Sequence, residues 1–248
     1  MSTPKRNIIW FRRDLRIGDH PALNAAIESS DEVVPVFILD KSQIDEAGAK
    51  LLAYMGQSLR ALDESLGNRL HIIEGDQVEV LTDLMKLYGA TEVHISDEYE
   101  RYGAARDARV EAAGIKLIRT GSPYAVAPGR VRKPSDDTPY RVYTPFYRAW
   151  CVHGWRAPAK TPQKINAPVP PDKYRAFPDF PMPSGVNVIT AGEAAALARF
   201  KEFTKKGLDS YDENRNFAAI DGTSKMSTYL KFGEIHPRTL LAGLGESK

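Results

Sequence analysis

The sequence predicts an α/β protein: a doubly wound five-stranded parallel sheet, followed by the beginning of an all-helical domain. Three observations carry this. Over residues 1–120, short β-branched runs alternate with amphipathic stretches of helical length, the pattern of a parallel sheet with crossover helices. Eight of the 17 prolines then fall between residues 156 and 183, where they block helix interiors and favour extended chain. From residue 191 onward Ala194, Ala195, Leu197, Ala198, Phe200 and Phe203 recur at helical spacing, up to a stop near Gly207. The expected organisation is therefore a first domain over residues 1–130, a proline-rich connector over 131–190, and a helical domain that begins at 191 and is incomplete at 248.

The elements follow in order. Residues 8–11, 33–39, 70–73, 92–95 and 115–118 read as five buried strands, being rich in Ile, Val and Leu on both parities. Helices are expected near 21–29, 47–66, 77–88 and 103–113, with Asp19 as the cap of the first and Pro21 inside its opening turn. A further helix should run from Thr144 to about Trp155. Sheets of this class bind ligands beyond the carboxyl ends of their strands, so Arg12, Arg13, Asp14, Asp40, Asp97 and Glu98 fall on the functional rim or simply end strands.

Composition narrows the classes. The chain has 248 residues, 42% hydrophobic and 27% charged, with a net charge of only +2, so any nucleic-acid contact has to be local. A lone cysteine, Cys151, excludes an internal disulfide framework and reads as a small buried hydrophobe, pointing to a reducing, cytoplasmic setting. The segment before Arg12 is too short for a secretory core, and no apolar run reaches membrane-spanning length. The five histidines lack metal-ligand spacing, and neither a P-loop nor a G-x-G-x-x-G or G-x-S-x-G motif occurs. A monomer is expected.

Two motifs point to chemistry. Residues 221–234 (Asp-Gly-Thr-Ser-Lys-Met-Ser-Thr-Tyr-Leu-Lys-Phe-Gly-Glu) place hydroxyls, a cation and a glycine where a helix would begin. The unpartnered N–H groups and positive dipole of such an end suit a phosphate, although a merely capped helix start reads the same way. Residues 10–16 (Trp-Phe-Arg-Arg-Asp-Leu-Arg) carry three arginines at a strand end and could equally be a surface ion-pair loop. Phe146, Tyr147 and Trp150, at helical spacing, suit a core face better than a stacking platform.

Taken with Tyr143-Thr144-Pro145-Phe146 and the stretch 211–217, these motifs in this order resemble the DNA photolyase/cryptochrome family. The resemblance implies an α/β domain that holds a light-harvesting antenna and a helical domain that holds FAD and UV-damaged DNA. It places Tyr211, Thr223, Ser224, Lys225, Met226 and Ser227 at the flavin and Arg215 at the DNA phosphates. Lys225 stands where an arginine is common, which keeps the charge and loses the bidentate fork. The implied activity is repair of cyclobutane pyrimidine dimers by electron transfer from reduced FAD, with no side chain acting as general acid. Complete members run about twice this length, so the rest of the flavin pocket and the tryptophan relay fall outside these residues. The alternative is a non-catalytic cryptochrome-like photoreceptor or antenna-binding module.

For the antenna, Arg12, Asp40 and Tyr102 are the candidate lining residues. Gly103 stands where folate-using relatives place a glutamate, which favours a deazaflavin or flavin-like pigment over methenyltetrahydrofolate. The truncated helical part should leave Leu230, Phe232, Leu240 and Leu241 short of packing partners.

Overall fold

Strand β1 (Arg6–Phe11) is the axis of the molecule, because Ile8, Ile9, Trp10 and Phe11 are all buried and both of its faces must be covered. The structure is a computed structural model that describes residues 4–175 and 177–244. Around β1 lie β2 (Glu32–Leu39), β3 (His71–Glu74), β4 (Val93–Ile95) and β5 (Leu117–Arg119), all parallel, in the order β3-β2-β1-β4-β5. The period-two alternation of strands sorts the side chains. Ile9, Phe11, Val33, Phe37 and Leu39 pack against α1 (Pro21–Glu28) and α3 (Ala49–Ser65), while Ile8, Trp10, Val34, Val36 and Ile38 pack against α4 (Gln77–Tyr88) and α5 (Arg101–Ala112). The edge of β3 is covered by the connector, where Arg175 bridges to Ile72 and its guanidinium pairs with Asp63 at 2.9 Å.

Several expectations need correction. The cap of α1 is His20, whose Nδ1 accepts from Leu23 N at 3.1 Å. Asp19 sits at φ 43° and uses its carboxylate over longer range, on Arg238 and His236 at 3.0 Å each. The helix expected from residue 47 is two helices, a short α2 (Lys41–Glu46) that buries none of its residues and is capped by Asp40, and then α3. Helix α6 (Tyr143–His153) stops at Gly154, which takes φ 66°, and buries nothing. Tyr147 and Phe146 are exposed there, and so is Cys151, so neither the core-face reading nor the buried-thiol reading holds.

The chain beyond the connector forms α7 (Glu193–Lys206), α8 (Tyr211–Asn214), α9 (Ser227–Phe232) and α10 (Pro237–Leu244). These helices are tied to the α/β part by buried polar bonds. Glu193 accepts from the backbone N–H groups of Ile17 and Gly18 at 2.8 and 2.9 Å. Glu234, fully buried, accepts from Tyr54, Ser58 and Gly192, each at 2.6 Å. Leu15 N donates to the Phe232 carbonyl at 3.1 Å, and Arg16 donates to that of Gly233 at 2.9 Å. Contrary to expectation, Phe232 has partners: it joins the core under β1 and packs on Tyr54. Leu230 and Leu240 pack against Ala196, Phe200 and Ile235.

Candidate functional site

Sheet order puts the reversal of winding between β1 and β4, where ligands of such folds are expected. Side chains fill that crevice, which holds only about 10 Å3. Asp14 accepts from Ser96 Oγ at 2.6 Å and from Arg12 N at 2.8 Å and faces His20 Nε2 at 3.1 Å. Burial acts against its charge, but His20 and then Arg12 outweigh burial and hold its pKa below the usual carboxylate range.

The open space lies one strand over. A cleft of about 290 Å3 is floored by the ends of β1 and β2 (Phe11, Phe37, Leu39), walled by Ile44, Leu51 and Met55 of α2 and α3, and roofed by Phe232. Its polar end holds Arg12, Asp40, Gln77, Glu98, Tyr102 and Arg106, so the three antenna candidates named from sequence share one cavity. Of the other rim residues, Arg13 and Glu98 line the cleft, Asp14 is buried beside it, and Asp97 lines a separate groove beyond β4 and β5. An open trough of about 630 Å3 adjoins the cleft and shares Asp40, Gln77, Tyr102 and Arg106 with it.

Each candidate has a distinct part. Asp40 caps α2, accepting from Ser42 N at 2.9 Å and Ser42 Oγ at 2.7 Å, and its other oxygen accepts from Gln77 Nε2 at 2.7 Å and from the Tyr102 hydroxyl. Burial alone would raise its pKa, but the Tyr102, Ser42 and Gln77 donors lower it, while burial and Asp40 push Tyr102 up to about 12. Asp40 is thus a saturated anionic post that fixes a neutral tyrosine and an amide at the cleft mouth. Arg12 donates to both Asp107 oxygens at 3.1 and 3.3 Å and to the Ser96 carbonyl, yet its buried Nε has no partner.

Gly103 shows a packing reason for its missing side chain. A Cβ there would lie 2.4 Å from Cδ of Glu98, whose carboxylate is held by Arg106 at 2.7 Å. The carboxylate absent from position 103 is replaced in space by one already committed to an arginine. Arg106 and Gln77 were not singled out as pocket residues from sequence, although Tyr102 and Arg106, four apart on α5, share a helix face and could have revealed the first.

The second predicted site is a surface turn. Thr223, Lys225 and Ser227 are exposed, Ser224 is half-buried, and Met226 points inward. No side-chain hydrogen bond caps α9, so its first N–H groups have no side-chain partner there. Arg199, unrecognised in the sequence, shapes the turn by donating to the carbonyls of Ser224 (3.2 Å) and Thr223 (2.7 Å) and to Asp221 (2.9 Å). Lys225 takes φ 57° and pairs with Asp221 at 3.0 Å. Gly222 packs on the backbone of Asn214, where a Cβ would lie 2.6 Å from the carbonyl oxygen, and this brings the turn against α8. On α8 Tyr211 meets Phe203 edge-on, and Arg215 lies over the Tyr211 ring at 5.6 Å while pairing with Asp212.

Residues 7–166 match the family model described as DNA photolyase. The chain belongs to the DNA photolyase family. It is similar to the deoxyribodipyrimidine photo-lyase of Agrobacterium fabrum, with 35% identity over 93% of this chain and 51% of the relative. Among solved structures it superposes on a class III photolyase from Agrobacterium tumefaciens with a TM-score of 0.81 and 29% identity, over 99% of this chain and 54% of that one. A photolyase from Sulfolobus tokodaii, solved with two FAD molecules and described as implying a novel light-harvesting cofactor, shares the fold at TM-score 0.80 and 23% identity, over 98% of this chain and 55% of that one. The chain spans about half the length of these photolyase relatives. Among the described residues no helix is long and apolar enough to cross a membrane.

Proposed function

We propose that these residues form the antenna-bearing half of a light-dependent deoxyribodipyrimidine photo-lyase, with a flat, flavin-like chromophore seated in the cleft between β1, β2 and α3. The observation that carries this is the cleft itself, with its apolar floor and roof and its polar end. At about 290 Å3 it stands at the lower end of ligand pockets, roughly 300–1,000 Å3, so it suits one ring system rather than a dinucleotide. A polar tail would continue into the adjoining trough toward Lys41 and Arg109. The residues fit such a group: Phe37, Leu39 and Phe232 exclude water, Gln77 and Arg106 line the polar end, and Asp40 fixes the Tyr102 hydroxyl at the mouth. Glu98, the carboxylate that lies against position 103, is already paired through Oε2 with Arg106, which supports a deazaflavin or flavin over methenyltetrahydrofolate. The Sulfolobus relative, solved with two FAD molecules, supports the same choice.

FAD would rest its phosphates on the turn from Thr223 to Ser227, beside Tyr211, with Arg215 toward the phosphates of UV-damaged DNA. When bound, reduced FAD supplies the electron that opens a cyclobutane pyrimidine dimer. This chain's share is to hold the first turn of α9 open to an anion, through Arg199, and to present Ser227 and Thr223 there. The absorption spectrum of the purified chain tests the reading. A pigment other than FAD, at higher occupancy than FAD, is expected. Stoichiometric FAD with no second pigment would refute it.

A further inference from the structure

A light-harvesting ring is useful only while its excited state lasts, and an electron-rich indole beside it is the neighbour most able to end that state. Trp10 borders the cleft, at the carboxyl end of β1, and is 2% exposed. Two cations share its ring: Cζ of Arg12 lies 5.0 Å from the ring centroid and that of Arg106 lies 4.8 Å away. Both guanidinium groups are nearly buried, with 7% and 10% of their side chains exposed, so water screens them little.

We propose that Arg12 and Arg106 insulate Trp10, so that the indole beside the cleft does not quench a bound chromophore by giving it an electron. This inference rests on the cleft holding a chromophore. The step being suppressed moves one electron from the indole to the excited ring system and later back. The indole is oxidised, the chromophore is reduced, and no bond is made or broken. In the ground state the negative face of the ring attracts both cations. Once the ring has lost an electron it is itself a cation, and the same two contacts become charge–charge repulsions in a medium of low dielectric.

The carboxylates near the pair do not undo this. Asp107 and Glu98 bind the N–H edges of the guanidinium groups, at 3.1 Å to Arg12 and 2.7 Å to Arg106, and leave the ring to face the cations. They also keep the charges in place. Burial opposes the charge of Arg106, but Asp107 and Glu98 outweigh burial and raise its pKa. Burial, and then the charge of Arg106, lowers that of Arg12, which still remains protonated.

The test is the fluorescence lifetime of flavin mononucleotide bound to the full chain, with binding measured separately by its absorption. Trp10→Phe alone should leave the lifetime unchanged, because the indole is already silent. Arg106→Gln should shorten it several-fold, Arg106→Lys should preserve it, and adding Trp10→Phe to Arg106→Gln should restore it. A several-fold longer lifetime in Trp10→Phe alone would overturn the proposal, and it decides the matter even if Arg106→Gln does not fold. A shortening in Arg106→Gln that Trp10→Phe fails to reverse would overturn it too. A flavin that binds with a lifetime indifferent to Arg106 refutes only this inference. A flavin that does not bind the wild-type chain refutes the chromophore reading, and the inference with it.

Discussion

Gly233→Ala should be among the most damaging small substitutions in the chain, because this residue is where the helical part touches the functional rim. Gly233 takes φ +67°, and a Cβ there would lie 1.9 Å from the carbonyl oxygen of Arg13, 2.5 Å from its carbon and 2.6 Å from Cα of Asp14. All three are backbone atoms of the loop leaving β1, so no side-chain rotation relieves the clash. A left-handed alanine costs about 1–2 kcal/mol. Forcing the loop aside adds about 1–3 kcal/mol, as overpacking does elsewhere. The total is roughly 2–5 kcal/mol, and part of the displacement falls on Arg12 and Arg13 at the cleft. Gly67→Ala is the control, with φ +64° and nothing within 4 Å, and should cost only the left-handed strain of about 1–2 kcal/mol. Urea unfolding of the two variants against the wild-type chain measures both. A Gly233→Ala loss no greater than that of Gly67→Ala would refute the claim that the two parts are packed through this contact.

Two further outcomes follow from particular side chains. His71 Nδ1–H donates to the Pro35 carbonyl and its Nε2 accepts from the Tyr88 hydroxyl, and burial lowers its pKa from 6.5 to about 4. Its contribution is therefore complete above pH 6.5 and is lost as pH falls toward 4, by up to about 3 kcal/mol. Stability measured against pH should show a flatter acid limb in His71→Gln, and an unchanged limb would contradict this. Arg199→Ala removes the donors that hold residues 221–224, so amide exchange there should quicken by about tenfold or more, corresponding to ~1.4 kcal/mol of local stability. Unchanged exchange would show that the turn is held by other contacts.

The sheet was readable from the chain because buried parallel strands announce themselves as runs of Ile and Val, and the observed strands lie within two residues of the predicted ones. The short helix α2 was not, since Lys41–Glu46 buries nothing and owes its existence to the Asp40 cap, a local bond without periodicity. The cap of α1 was misplaced by one residue because Asp19 has a long-range use, on His236 and Arg238, that sequence spacing does not reveal. Exposure of the aromatic face of α6, with Tyr143 at 72%, likewise depends on what surrounds the helix. At the site, Arg12, Asp40 and Tyr102 could be named because they follow strand ends or open a helix. The role of Asp40 as a saturated post, the orphaned Nε of Arg12 and the Arg199 clamp needed coordinates, since each depends on partners 22 to 95 positions away.

The most direct measurement is a titration of the purified chain with flavin mononucleotide, in parallel with a Leu51→Trp variant that fills the cleft while leaving its polar end untouched. The wild-type chain should bind one flavin and the variant should bind none, with unfolding temperatures that stay close. Equal binding by both chains would place the flavin elsewhere and contradict the assignment of the cleft.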